Sequence, residues 1–255
     1  MSSEFPLHEL LVFTTAIVAG GINSVAGGGS LVTFPTLIWL GVPPIVANAT
    51  NTVAIWPGTL GSVWGYRREL RGIDRRIYWL VIPSIVGSIA GAILLSRTPA
   101  AFFDRFVPVL ILFATLLFMA QEPIQRRFNL RVAHEKHHWF ASVVFYQLLV
   151  GLYGGYFGAA IGILMLAALS LMGHTEIHQM NAIKNFLATF INATAAIYFM
   201  VTGLVSWPDA IVMAAGAIVG GVGGTLMALK IGPRAVRRIV IVIGFSMALS
   251  LMLRL

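Results

Sequence analysis

The chain has no cysteine in its 255 residues. That absence excludes a disulfide framework, a thiolate metal site and a cysteine relay, and leaves the redox state of its compartment open. Charge is scarce as well: Asp, Glu, Lys and Arg make up 10% of the chain, against roughly 25% in an average soluble domain. So few polar groups cannot cover a globule in water. Catalytic signatures are also missing. There is no HExxH, GxSxG or P-loop sequence, and the nine carboxylates are scattered mostly through loops and chain ends. Nothing calls for an enzyme, a metal or a cofactor. The histidine cluster His134, His137 and His138 lies beside Glu135 in a basic stretch, where a solvated face is the simpler reading than a metal site.

What fills the chain instead is apolar. Hydrophobic residues account for 58%, and the runs 10–66 and 140–173 carry no charged residue, which suits membrane spans of about 20 residues each. The lipid bilayer is therefore the expected solvent. A formal charge of +8 brings nucleic acid to mind only until it is located, because nearly all of it sits in short loops between apolar runs. No nucleic-acid partner is expected. The first Lys or Arg is Arg67, so the first apolar segment lacks the positive region of a secretory signal and is expected to be retained.

Residues 26–41 (AGGGSLVTFPTLIWLG) recur in outline at 158–173 (GAAIGILMLAALSLMG). Further on, Asn48 falls on Asn181, Gly87 and Gly91 on Gly220 and Gly224, and Pro99 on Pro233. The chain reads as a duplication, with a first repeat at 1–120, a basic connection at 121–138 and a second repeat at 139–255. Internal repeats in so apolar a chain are the building plan of secondary transporters, whose substrate site lies where the halves meet.

Charge placement sets the orientation. Arg67, Arg68, Arg71, Arg75 and Arg76 crowd one loop of the first copy, while its counterpart near 200–209 has no basic residue. The following loop reverses this, with Arg97 and Arg105 against Asp104 in the first copy, and Lys230, Arg234, Arg237 and Arg238 in the second. Short basic loops stay cytoplasmic. The expectation is an all-α membrane protein, a polytopic helical bundle of two inverted five-segment repeats with both chain ends outside a cell's inner membrane. The segments are expected near 7–25, 29–41, 46–66, 77–96 and 102–120, then 139–157, 159–173, 181–202, 208–229 and 235–254. The second of each set, 29–41 and 159–173, is too short for an ordinary span and either crosses or re-enters.

Polar residues inside these runs are the candidates for chemistry. Gly27, Gly28 and Gly29 interrupt the first run, and Ser30 stands where a helix N-cap would be. The positive end of a half-helix suits an anion, although glycines also permit close helix packing. Downstream, Asn48 and Asn51 align with Asn181 and Lys184; their spacing, and that of Asn181, Lys184, Asn185 and Asn192, places each set on one helical stripe, and Thr50, Thr52 and Thr189 extend the polar character. Amides donate to an oxyanion with no fixed negative charge opposing it, and Lys184 supplies a counter-charge. The competing readings are interhelical hydrogen bonding for the asparagines and snorkelling to the interface for Lys184. Glu176 and His178, with His174 nearby, are placed to carry a coupling proton or are simply solvated. The Gly87/Gly91 and Gly220/Gly224 pairs read as helix-packing motifs.

These residues resemble the sulfite exporter TauE/SafE family of membrane permeases. The resemblance is carried by GGINSVAGGGSLVTFPTLIWLG followed by ANATNT in the first copy, and by MNAIKNFLATFINATAAIYF followed by GLVSWPDA in the second. It covers nearly the whole chain. It implies transport of a small anion, often a sulfur-containing oxyanion such as sulfite or a sulfonate, across a bacterial cytoplasmic membrane. Carried onto this sequence, it points to Gly27, Gly28, Gly29, Asn48, Thr50 and Asn51, and to Asn181, Lys184 and Asn185. The second copy departs from the glycine-rich pattern at Ala159 and Ala160. Rival readings are a carboxylate or other small-solute carrier, and a scaffold subunit that transports nothing. A homo-oligomer is compatible with all of them.

Overall fold

The computed structural model describes residues 5–25, 28–129, 139–172, 176–231 and 233–253. Gly27, His134, Glu135, His137, His138 and His174 lie outside the described residues. Among those described, every regular element is a helix: α1 (Phe5–Val25), α2 (Ser30–Trp39), α3 (Pro44–Gly65), α4 (Arg75–Trp79), α5 (Val81–Arg97), α6 (Ala100–Asn129), α7 (Trp139–Tyr156), α8 (Ile161–Leu171), α9 (Ile177–Val201), α10 (Trp207–Ile231) and α11 (Pro233–Met252).

Helix starts follow local chemistry. Pro44 opens α3 at a position where its missing N–H costs nothing. Asp74 caps α4 by accepting from the Arg76 N–H at 2.9 Å, and Glu176 caps α9. The segments α4–α5 (Arg75–Arg97) and Ala100–Ala120 of α6 are long and apolar enough to cross a membrane on their own. On α6, Phe103, Val107, Leu110, Ile111, Ala114 and Phe118 are buried, whereas Phe102, Phe106, Val109, Phe113 and Leu116 are exposed. Both sets recur every three to four residues, so each is one face of the helix. An exposed stripe of phenylalanines is costly against water and neutral against lipid tails. The protein is an all-α membrane protein.

The shortest apolar helices, α2 with 10 residues and α8 with 11, measure about 15–17 Å at 1.5 Å per residue. The hydrocarbon core is about 30 Å thick, so neither helix is long enough to cross it alone. Leu31 to Leu37 of α2 are all buried, which means protein surrounds that half-helix on every side.

Helix packing comes in pairs that exchange when the halves of the chain are exchanged. The most extensive contacts are α1 with α10 and α5 with α7; then α3 packs on α9, α3 on α10 and α5 on α9, and α6 on α11. Close approach at the first two contacts depends on glycine. A Cβ on Gly91 would lie 2.1 Å from the Leu152 carbonyl oxygen, and one on Gly220 would lie 2.0 Å from that of Ile17. Hydroxyls and amides join the helices elsewhere: Ser88 donates to the Ile191 carbonyl at 2.7 Å and Gln147 to Ser84 at 2.8 Å.

A cavity between two helix breaks

Each half-helix follows a break in the chain with a left-handed residue at a corresponding position, and the second break has a further one at Gly158, φ +78°. Gly28 has φ +97° and Ala160, 132 positions later, has φ +63°. Leu31 then donates to the Gly28 carbonyl at 2.9 Å, and Ile163 donates to that of Ala160 at 3.0 Å. Glycine takes the left-handed conformation without strain, but alanine does not. Ala160 thus holds a left-handed φ without glycine, which strains the second break at that position. Phe34 of α2 meets Phe157 of the second break edge to face, with centroids 5.2 Å apart.

The first break differs from the sequence expectation in one detail. Gly29 is the N-cap of α2 and Ser30 its first helical residue, with no side-chain cap. The reason is space: a Cβ at Gly29 would lie 2.4 Å from the Ala19 carbonyl oxygen. Nor are all the backbone donors there open to a ligand, since the Gly29 N–H donates to Asn23 Oδ1 at 2.7 Å. Gly28 and Gly29 thus have structural duties whatever else they do.

Between the breaks lies a cavity of about 560 Å³, a volume typical of small-molecule sites. Its wall includes Asn23, Gly28, Ser30, Thr33, Asn51, Thr52, Gly162, Lys184, Asn185 and Asn192, closed by apolar groups such as Phe118 and Phe157. Of the residues singled out from sequence, Gly28, Ser30, Asn51, Lys184, Asn185 and Asn192 come together here. Gly29, Asn48, Thr50 and Asn181 stand outside the wall. Asn48 donates across to the Tyr156 carbonyl at 3.0 Å, Thr50 accepts from the Ser206 N–H at 2.9 Å, and Asn181 accepts from the Lys184 ammonium at 2.9 Å. They join helices or orient a neighbour.

Lys184 does not run outward from its helix. It lines the cavity, and its stem lies over Gly162, where a Cβ would come 3.0 Å from Lys184 Cδ. Thr33 donates to Asn51 Oδ1 at 2.5 Å, which commits the amide oxygen and leaves its NH₂ to a solute. Among the described lining residues Lys184 carries the charge and no carboxylate is present. Glu176 and His178 are exposed and away from the cavity. The backbone N–H groups of His178 and Gln179 hold the Glu176 carboxyl below its ordinary range, as a helix cap should.

Sequence reasoning passed over Asn23 and Thr33. Asn23 had a signal, a lone amide one turn before the glycine run. Thr33 had none, since a threonine in an apolar helix is unremarkable alone.

The cavity runs along α3 from Asn51 to Ser62. Ala47 to Ala54 are buried, while Pro57, Gly58, Gly61 and Trp64 are exposed. It therefore approaches the surface at the end of α3 that leads into the arginine loop.

Residues 12–251 match the family described as Sulfite exporter TauE/SafE. The chain belongs to this family. A "Probable membrane transporter protein" of Haemophilus influenzae is 30% identical over 244 residues, 93% of this chain and 91% of that one. The "Probable membrane transporter protein YfcA" of Escherichia coli K12 is 26% identical over 254 residues, 97% of this chain and 90% of its own length. The Bacillus subtilis "Probable membrane transporter protein YunE" is 24% identical over 262 residues, covering 92% and 95%. No solved structure matches the chain. Of the segments that carry the TauE/SafE resemblance, those of α1 with the first break, α3 and α9 contribute to the cavity wall.

Proposed function

We propose that this TauE/SafE protein is a secondary transporter that carries a small anion, sulfite or an organosulfonate, across the cytoplasmic membrane by alternating access. The carrying observation is the polarity of the cavity: Lys184 and the amides of Asn51, Asn185 and Asn192 line it, with no carboxylate among the described wall residues. A cation would meet no counter-charge there. An oxyanion would meet one ammonium and several N–H donors, which is the recognition pattern of charge-assisted hydrogen bonding. The relatives' names make a carrier rather than an enzyme the natural reading.

The two halves, 1–120 and 139–255, are read as repeats inserted in opposite senses, with both chain ends outside and the arginine loop inside. The exchange of packing partners between halves and the recurrence of the left-handed break support this. The cavity then opens toward the cytoplasm. Purified protein in liposomes should move sulfite or methanesulfonate down an imposed gradient, and Lys184→Gln should lower uptake by about two orders of magnitude, as loss of a charged partner inside a low-dielectric site does. Uptake at the parental rate by well-expressed Lys184→Gln would refute the site.

A further inference from the structure

A second polar group lies away from the cavity, where α1, α10 and α3 meet. His8 Nε2 is 2.8 Å from Asp209 Oδ1. The Ser206 hydroxyl donates to Asp209 Oδ2 at 2.6 Å, and the Ser206 N–H donates to Thr50 Oγ1 at 2.9 Å. Asp209 is 8% exposed and Thr50 fully buried. Residues from three helices are thus joined by one chain of hydrogen bonds.

A carboxylate buried in a membrane protein is expensive unless it is paired and has a task. Among the described residues its surroundings bring no fixed positive charge. The spans of α2 and α3 hold no titratable residue, Glu9 beside His8 is exposed, and Lys230 and the arginines of α11 belong to the opposite end of α10. The partner of Asp209 is therefore a histidine, the side chain that gains and loses its charge near neutral pH. With Asp209 ionised, Nε2 must carry a hydrogen, as a neutral tautomer or as imidazolium. Only the imidazolium makes the contact an ion pair.

All three helices continue into the cavity wall, through Ala16 of α1, Asn51 of α3 and Met213 of α10. The polar chain ties them at the end remote from the exposed stretch Pro57–Ser62. We propose that His8 and Asp209 form a proton-binding site that controls which end of the cavity opens. The proposal rests on the transporter reading above. Proton uptake strengthens the tie and favours the conformation described here; proton release weakens it and lets α1 part from α10 at this end, opening the cavity on the His8 side. Glu176 and His178, by contrast, occupy a helix cap outside the cavity wall.

The absence of native cysteine permits a direct test that needs no substrate. In a Ser62→Cys background, alkylation at the cavity mouth is followed from about pH 5 to about pH 8, and rates are divided by those of His8→Gln and Asp209→Asn versions to remove the pH dependence of the thiol. The normalised rate should be about fivefold higher at the acid end, the difference between a charge-assisted and a neutral hydrogen bond. Identical pH profiles in parent and variants would overturn the proposal. Should a variant fail to fold, hydrogen exchange in the unaltered chain decides. Corrected for intrinsic rates, the second turns of α1 and α10, whose N–H groups are the first to be bonded within the helix, must exchange faster as pH rises, and a flat profile also overturns the proposal. Methanesulfonate uptake separates the two readings: no uptake in any form sinks the transport reading, whereas uptake with pH-independent labelling sinks only the proton site.

Discussion

The Thr33 hydroxyl on α2 donates to the amide oxygen of Asn51 on α3 at 2.5 Å. This bond decides which end of the amide is left to the cavity. An asparagine amide is a donor at one end and an acceptor at the other, and an anion site needs the donor.

Thr33→Val removes that control while keeping volume and β-branching. Uptake of methanesulfonate should fall about tenfold in kcat/KM, the worth of one oriented hydrogen bond, with little change in thermal stability. Asn51→Asp should fall much further, about a hundredfold, because it sets a negative charge in the wall. If Asn51→Asp instead keeps its anion uptake, the amide does not face the substrate.

Gly162 and Lys184 should act as a unit. An added Cβ at 162 would press on Lys184 Cδ at 3.0 Å, so Gly162→Ala should shift the ammonium and raise KM severalfold. In a Lys184→Ala background the same substitution should do nothing more. A double-mutant cycle measures this, and a coupling energy near zero would mean that Gly162 acts through backbone flexibility alone.

The breaks offer opposite tests of strain. Alanine at φ +63° costs about 1–2 kcal/mol, so Ala160→Gly should raise the unfolding midpoint in detergent by about 2–4 °C after the greater entropy of glycine in the unfolded chain is subtracted. Gly28→Ala should lower it, because the new Cβ would be strained at φ +97° and would lie 2.9 Å from the Phe118 ring. A lower midpoint for Ala160→Gly would argue against the left-handed second break.

These two breaks also mark where sequence reasoning works and where it stops. The apolar runs gave nearly all helices their places, including the short pair: 29–41 and 159–173 contain α2 and α8. Hydropathy reports where a membrane ends, however, not where a helix ends, so α6 runs on to Asn129 through Gln, Glu and Arg, which favour helix strongly. Glycine announces a left-handed residue, but Ala160 carries no such signal. Lys184, Asn51 and Asn185 were legible because polar groups in apolar runs must be accounted for. The His8–Asp209 contact joins residues 201 positions apart. Neither residue is unusual near the end of its segment, so only the folded chain brings the pair to notice.

Glycines on α3 separate a folding role from a working one. At Gly91 and Gly220 an added Cβ would meet backbone within about 2 Å, but at Gly58, Gly61 and Gly65 it would meet nothing within 4 Å. Gly91→Ala should therefore force α5 from α7 and lower the unfolding midpoint by several degrees, an overpacking cost of about 1–3 kcal/mol. Gly61→Ala has room in this conformation and should leave the midpoint within about 1–2 °C, helped by the better helix propensity of alanine. Alternating access requires the cavity mouth beside Gly58, Gly61 and Ser62 to shut, and closely packed helices need small residues at their contact. Gly61→Ala, and Gly61→Leu more severely, should then slow methanesulfonate transport while leaving substrate binding from the open side unchanged. Parental transport by a stable Gly61→Leu protein would mean that α3 stays exposed throughout the cycle and that closure happens elsewhere.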